Sequence, residues 1–232
     1  MLADQFALLA IRVLGESTAQ GEITEDQLIR SQTLLDLALE LSPNDADLWL
    51  LERRMATRRG DVEGELFALQ NYCRLRPMDD GALFDWIITD VEQELGVIGD
   101  RIKKLEGILR GPSSKKMSLA LQSRLASYLA VIGSDTNNDG AFRDWLIHAL
   151  RMDPTNRTAA KMAYEHLVAH NAPFDKVAVA IKELIASNPV DPRSHYLLAE
   201  HLFAHGAYEK ATEQFQVAQD LSAGSGGDLP FY

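Results

Sequence analysis

A spacing of four, three and five residues that ends in proline recurs along the chain. It reads Ser31, Leu35, Ala38, Pro43; Glu65, Leu69, Tyr72, Pro77; Phe142, Leu146, Ala149, Pro154; and Val177, Ile181, Leu184, Pro189. Pro112 fills the remaining gap, so the prolines that close successive repeats lie 34, 35, 42 and 35 residues apart. Steps of four and three place side chains on one face of an α-helix, and a proline prevents its continuation. Such a period indicates a helical repeat protein whose units pack on their neighbours.

The C-terminal repeat, residues 188–221, shows the anatomy of one unit most clearly. Asp191 precedes a proline, which predicts an N-cap followed by the first helical position. Gly206 ends this first helix, and a second amphipathic helix follows. The preceding unit carries a copy, because residues 165–171 read EHLVAHN and residues 200–206 read EHLFAHG, 35 residues apart.

The unit resembles a tetratricopeptide repeat (TPR), a 34-residue helix-turn-helix with small residues at close contacts and an aromatic residue in its second helix. The matching positions are Ala199, Gly206, Tyr208, Ala211, Phe215 and Ala218. The resemblance implies an all-α, right-handed α-solenoid of about six TPR-like helix pairs. We expect one domain over residues 1–222 and a flexible Gly/Ser-rich tail over residues 223–232. No useful length of the chain alternates with period two, so no strand is expected.

Two regions depart from the regular pattern. The third helix pair, near residues 81–109, has its apolar positions offset by one residue from the motif. The fourth pair contains the extra residues, which predict a long seventh helix over about Ser114–Ile132. A polar turn over Gly133–Gly140 is expected to follow that helix. Gly21 is expected to separate the first two helices, and a Thr24–Gln27 capping box is expected to open the second.

The net charge of −11 disfavours binding to nucleic acids or to anionic membranes, since both require a basic surface. Cys73 is the only cysteine, so no disulfide forms within the chain. It lies in an apolar helical pattern and is expected to be a small buried residue. The apolar N-terminal run lacks the features of a signal peptide, and no run reaches the length of a membrane span. A cytoplasmic protein is therefore expected.

Catalysis receives no support, because the sequence contains no nucleophile elbow, P-loop or dinucleotide-binding motif. We expect a protein that is not an enzyme and needs no cofactor. The turn Asp135–Gly140 matches the first half of a calcium loop, but Leu146 stands where a bidentate Glu is required. That turn is interpreted as a helix cap. The pairs His166/His170 and His201/His205 could chelate a metal at i, i+4, yet their duplication also fits a repeated packing solution. No metal ligand is assigned.

The family resemblance implies that the first helix of each pair lines a concave groove. The candidate peptide-binding or protein-binding residues at groove positions are Leu50, Arg54, Arg58, Lys161, Glu165, Tyr196, Glu200 and Phe203. Arg53 and Arg59 are the sequence neighbours of Arg54 and Arg58. Together the four arginines suggest a basic patch that could bind an acidic peptide segment. The carboxylate clamp of Lys, Asn and Arg that some family members use is not found in any unit.

The leading hypothesis is a non-enzymatic scaffold or adaptor that binds a protein or peptide segment in the groove. One alternative is an adaptor or regulatory module of a larger polypeptide or multi-subunit enzyme complex, motivated by the Gly/Ser-rich tail and its apolar end. A weaker alternative is a metal-dependent site at the paired histidines. Homo-oligomerisation through the terminal helix pairs, whose outer faces lack a neighbour, is also left open.

Overall fold

The computed structural model describes residues 2–18 and 24–225, and these residues form twelve α-helices and one short 3-10 helix. The α-helices are α1 (Leu2–Thr18), α2 (Glu25–Leu41), α3 (Ala46–Arg59), α4 (Val62–Leu75), α5 (Asp80–Glu94), α6 (Ile98–Arg110), α7 (Leu119–Asp135), α8 (Asp139–Met152), α9 (Arg157–Ala169), α10 (Phe174–Ser187), α11 (Pro192–Ala204) and α12 (Tyr208–Ser225). No strand occurs among them. The prediction of an all-α fold built from TPR-like helix pairs is confirmed.

Local capping chemistry accounts for most helix boundaries. Thr24 and Gln27 form the predicted reciprocal capping box at the start of α2. Four further helices begin after an aspartate whose carboxylate accepts a backbone N–H, namely Asp45, Asp61, Asp79 and Asp191. Gly60 and Gly206 follow the ends of α3 and α11 with φ of 68° and 78°, a left-handed conformation that glycine adopts without strain. Gly21 lies outside the described residues.

Backbone contacts divide the chain into two compact units, Met1–Lys104 and Leu105–Tyr232. In the first unit, α1 packs on α2 and α3 packs on α4, while α2–α3 and α4–α5 contacts join successive pairs. Leu35 and Met55 are fully buried in its core. Ser31, the small residue of the repeated spacing, is also buried and donates its hydroxyl hydrogen to the carbonyl oxygen of Ala10 at 3.2 Å. This bond satisfies the hydroxyl where the helices approach closely.

The third pair is irregular, as the offset in its apolar positions predicted. Helices α5 and α6 lack the close backbone packing that joins the two pairs before it. Polar side chains connect them instead. The Lys104 ammonium group pairs with Asp90 at 3.1 Å and also with Glu94, and the Arg101 guanidinium group donates to the carbonyl oxygen of Leu95. The boundary between the two units falls within α6.

The second unit contains three hairpins, α7–α8, α9–α10 and α11–α12, and contacts of α8 with α9 and of α10 with α11 join them in order. Leu121, Leu125 and Leu129 of α7 are buried almost completely. A further cluster includes Ile181 of α10 and Leu198 of α11. Ile181 belongs to the repeated spacing, so an apolar position of that spacing contributes to the contact between neighbouring helix pairs, as expected for a repeat protein.

The predicted seventh helix over Ser114–Ile132 was wrong at both ends. Residues Pro112–Lys116 form the 3-10 helix, and α7 begins only at Leu119. The break has a local cause, because the Ser118 hydroxyl oxygen accepts the Leu121 N–H at 2.9 Å and thereby caps α7. At its other end α7 continues to Asp135, so the predicted polar turn shortens to residues 136–138.

The predicted domain division concerns one domain over residues 1–222 and a tail over residues 223–232, and the described residues include only the beginning of that tail. One domain over residues 1–222 remains a prediction, beside the two units that the contacts define. Helix α12 continues to Ser225, three residues into the segment expected to be a flexible tail. Residues 226–232 lie outside the described part of the chain. Within that part, no helix combines the length and apolar character that crossing a membrane requires.

Cys73 is buried against Leu69 and Ala82, as predicted. Burial, with a contribution from the negative charge of Asp79, raises the pKa of its thiol to about 11. The reactive thiolate is therefore scarce at pH 8. We expect a thiol reagent such as Ellman's reagent to modify the native protein far more slowly than the unfolded protein. Equal rates with and without guanidinium would contradict this prediction.

Candidate functional site

The candidate residues of the first unit share one face of α3. Leu50, Arg54 and Arg58 are spaced by four residues, and this spacing stacks them on one side of a helix. Leu50 is half-buried, whereas Arg54 and Arg58 are exposed. Arg58 also lines a cavity of about 560 Å³ between α2 and the end of α3, together with the apolar side chains of Leu28 and Ile29. We call Leu50, Arg54 and Arg58 the α3 face.

The two other arginines assigned to the basic patch are occupied by internal ion pairs. Arg53 contacts Glu65 at 3.2 Å and Asp85 at 2.8 Å. Arg59 pairs with Glu52 at 3.4 Å and Asp61 at 3.5 Å, and it also donates a hydrogen bond to Gln32. Their charges are neutralised within the fold, so the basic patch is smaller than the sequence suggested. Among the described residues, neither Arg54 nor Arg58 has an ion-pair partner.

The candidate residues of the second unit lie on the first helices of two successive repeats, α9 and α11. Lys161, Glu165 and Val168 on α9 correspond to Tyr196, Glu200 and Phe203 on α11, each 35 residues later. Phe203 is 57% exposed and Val168 is 47% exposed, although both are large and apolar. We call Lys161, Glu165, Tyr196, Glu200 and Phe203 the α9–α11 face.

Negative charge dominates the middle of the α9–α11 face. Glu165 and Glu200 are both exposed, and Lys161 balances only the first, at 3.6 Å. Burial, followed by the charges of Glu200 and Glu165, raises the pKa of Tyr164. The charge of Glu200 is the main cause that raises the pKa of Tyr196. Glu200 therefore acts on both tyrosines and Glu165 acts on Tyr164, which indicates an acidic and aromatic surface across α9 and α11.

Aromatic contacts frame the C-terminal end of the α9–α11 face. Tyr196 packs edge-on against Phe215 of α12, with ring centroids 5.4 Å apart. Phe203 packs edge-on against Tyr208 at 5.3 Å, and both rings remain largely exposed. Such a pair offers apolar area with little loss of side-chain freedom on binding. The Phe203–Tyr208 pair lies at the turn between α11 and α12.

The two histidine pairs, for which a metal site was the weaker alternative, fall into two different surroundings. His166 and His170 lie on α9, with ring centroids 4.1 Å apart, beside Asp139 at the start of α8. The Nε2 atom of His166 is 3.7 Å from Oδ1 of Asp139. Burial and the charge of His170 lower the pKa of His166, although Asp139 opposes them. His166 is therefore neutral at pH 7. We call Asp139, His166 and His170 the Asp–His cluster.

Among the residues that the structure describes, no carboxylate completes a group of three ligand atoms with the second histidine pair. The ring of Phe174, at the start of α10, stacks on His201 with centroids 4.7 Å apart and contacts His205 at 4.6 Å. Nε2 of His201 also lies 3.2 Å from the carbonyl oxygen of Phe174. Phe174 follows Asp139 by 35 residues, so the two occupy equivalent positions in successive repeats.

Sequence reasoning missed Asp139 as a neighbour of the histidines. It had been grouped only with the turn Asp135–Gly140, where the structure confirms the capping interpretation, because Asn138 accepts the Ala141 N–H at 3.1 Å. Aligning the last repeats at their 35-residue offset would have shown that a carboxylate replaces Phe174 in the earlier copy. The same offset relates α9 to α11 in both sequence and structure. The repeats are tetratricopeptide-like.

No protein-family model and no curated protein sequence matches the chain. Solved structures to which the chain is similar include MamA, with 15% identity, coverage of 81% of this chain and 97% of MamA, and a TM-score of 0.46. Pseudomonas aeruginosa PilF shows 12% identity, coverage of 98% and 93%, and a TM-score of 0.49. YrrB, described as a TPR protein with an unusual peptide-binding site, shows 16% identity, coverage of 82% and 92%, and a TM-score of 0.42.

Proposed function

We propose that this TPR-like chain is a non-enzymatic scaffold that binds protein or peptide segments along the exposed faces of its first helices. One observation carries the proposal. The large apolar residues Val168 and Phe203 stand exposed at equivalent positions of successive repeats, and charged and aromatic side chains surround them. An apolar row rimmed by polar groups is typical of an interaction surface. The absence of catalysis and a cytoplasmic location remain predictions.

The two faces select for partners of different charge. Arg54 and Arg58 on the α3 face favour an acidic segment, which two guanidinium groups one helical turn apart can contact through charge-assisted hydrogen bonds. Glu165 and Glu200 on the α9–α11 face favour a segment with basic and apolar residues. A partner that engages both faces would therefore carry charges of both signs. Binding through either face should weaken as ionic strength rises.

Affinity capture with face-specific variants tests the proposal. The tagged wild type would be compared with Arg54→Glu/Tyr196→Ala, and bound proteins would be identified by mass spectrometry. The matched control is Arg30→Glu/Val179→Ala, which changes an exposed arginine and an exposed apolar residue on second helices. We expect a partner that the wild type and the control retain and the face variant loses. Removing a central aromatic anchor costs about 2 kcal/mol or more, roughly a thirtyfold loss of affinity.

The result that would contradict groove binding is a partner retained equally by all three proteins. Such a result would indicate that the partner binds the second helices, the terminal helix pairs or the C-terminal segment. The adaptor alternative predicts instead that deletion of residues 223–232 alone abolishes binding or assembly. Light scattering on the purified chain separates self-association from both, because a dimer doubles the measured mass.

A further inference from the structure

We propose that Asp139, His166 and His170 form a binding site for one divalent transition-metal ion of the zinc type. The site would join α8 to α9, and therefore two successive helix pairs, within the second unit. In the described part of the chain, no other group of three or more His, Cys, Asp or Glu side chains brings one potential ligand atom of each residue within 4.8 Å of the others. The proposal is independent of the protein-binding function proposed above, since it concerns a different ligand.

The three ligand atoms are already close to one another. One potential ligand atom from each side chain lies within 4.8 Å of the other two. Ligands about 2.0–2.2 Å from a tetrahedral zinc ion are separated from each other by roughly 3.4 Å. Side-chain rotation can close this difference, because Asp139 and His170 are both exposed.

A hydrogen bond prepares one of the two imidazoles, that of His170, for this role. Nδ1 of His170 lies 2.9 Å from the carbonyl oxygen of His166, which can only accept, so Nδ1 carries the hydrogen. The lone pair of His170 is then on Nε2, the atom free to bind a metal. A backbone carbonyl that accepts the second ring N–H is the usual way to fix the orientation of a metal-binding histidine. Nε2 of His166 faces Asp139.

The surroundings of the Asp–His cluster favour a cation. A cavity of about 490 Å³ opens beside it, and its lining includes the carboxylates of Asp135 and Glu165. The positive charge of Arg143 opposes the binding of a cation. Arg143 pairs at 3.1 Å with Oδ2 of Asp139, whereas Oδ1 of Asp139 faces His166. The Arg143–Asp139 pair is exposed on both sides, and such pairs contribute little, so it does not block the site.

The choice of metal follows from the donor set. Two imidazole nitrogens and one carboxylate oxygen suit zinc and its neighbours, whereas calcium and magnesium prefer oxygen ligands alone. Three protein ligands leave a fourth tetrahedral position open toward the cavity, where a water molecule or a side chain of a partner can bind. The duplicated pair His201/His205 offers no equivalent, because Phe174 replaces the carboxylate.

The experiment is isothermal titration of the tag-free, chelator-treated full chain with Zn²⁺, followed by cobalt absorption spectroscopy. We expect one equivalent of metal for the wild type and a d–d spectrum typical of tetrahedral Co²⁺ with nitrogen and oxygen ligands. Asp139→Asn and His170→Gln should each weaken binding at least about tenfold. The matched control is His205→Gln, because His205 is equally exposed and makes the same Nδ1 contact to the carbonyl oxygen four residues earlier, at 2.8 Å.

Two results would overturn the proposal. One is wild-type affinity for Zn²⁺ no higher than that of His170→Gln. The other is an equal loss in His205→Gln, which would indicate unspecific binding by surface histidines. Circular dichroism of each variant checks that the fold is retained, and His170 and Asp139 were chosen over the more buried His166 for that reason.

Discussion

Replacing Asn156 with alanine is expected to lower the free energy of unfolding of the second unit by about 2–4 kcal/mol. The Asn156 side chain caps α9, because its oxygen accepts the Ala159 N–H at 3.1 Å. Its amide nitrogen donates to the hydroxyl oxygens of Ser123 at 2.7 Å and Ser127 at 3.0 Å on α7. Ser123 in turn donates to the carbonyl oxygen of Ala149 on α8 at 2.8 Å. One side chain thus connects three helices through buried polar groups.

The physical reason for a large effect is the combination of two losses. Loss of a helix cap alone costs about 1 kcal/mol. The alanine variant also removes the donors to two hydroxyl groups, Ser123 and Ser127, that are 0% and 4% exposed. The two hydroxyl groups keep the bonds that they donate, to the carbonyl oxygens of Ala149 and Ser123, but their oxygen atoms lose the donor that they accept from. A buried acceptor without its donor costs about 1–3 kcal/mol, because water cannot replace the lost bond.

The matched control is Asn138→Ala, which removes the cap of α8 where the side chain is exposed. We expect a loss of only about 1 kcal/mol for that variant, as for an ordinary N-cap. Chemical denaturation of the full chain, followed by circular dichroism, measures both. Equal losses at the two asparagines would show that the bonds to Ser123 and Ser127 add nothing beyond capping.

Glycine-to-alanine substitutions at Gly133 and Gly107 are expected to change stability in opposite directions. A Cβ atom at Gly133 would lie 2.7 Å from the backbone nitrogen of Phe142 and 3.1 Å from its Cα, so α7 and α8 would have to move apart. Overpacking of this kind costs about 1–3 kcal/mol. A Cβ atom at Gly107, within α6, meets nothing within 4 Å. There the gain in helix propensity of up to ~1 kcal/mol should be realised.

Thermal and chemical denaturation of the two single variants decide this prediction. The substitution and the intrinsic helix preference are the same at both sites, so the difference reports the helix–helix contact. Gly133→Ala should melt below the wild type, and Gly107→Ala at or above it. An increase in stability at Gly133 comparable to that at Gly107 would mean that the α7–α8 contact adjusts without cost.

Helix boundaries were predictable wherever a local signal sets them. The boundaries of α3 and α4 are of this kind, because Asp45, Gly60 and Asp61 act on the backbone within a few positions of themselves. The seventh helix was misplaced because Ser118, a good N-cap, lies inside an otherwise helical pattern.

Side-chain partners could not be predicted in the same way. Arg53 and Arg54 are adjacent in sequence, yet Arg53 is paired with Glu65 and Asp85, whereas Arg54 is exposed. The direction of each side chain is set by its position on α3, and the available carboxylates come from other helices. Likewise, the sequence indicated two equivalent histidine pairs, and only the packing of α8 on α9 places Asp139 beside one of them.

The sequence by itself determined the all-α repeat architecture, the place of nearly every helix and the burial of Cys73. These depend on periodicity, capping and proline, which act over a few residues and repeat along the chain. The tertiary structure alone decided that Arg53 pairs with Glu65 and Asp85, how Asn156 connects α7 to α9, and that Asp139 meets His166 and His170. Those contacts join residues 12–33 positions apart, where short-range preferences end and the packing of one helix on another fixes each distance.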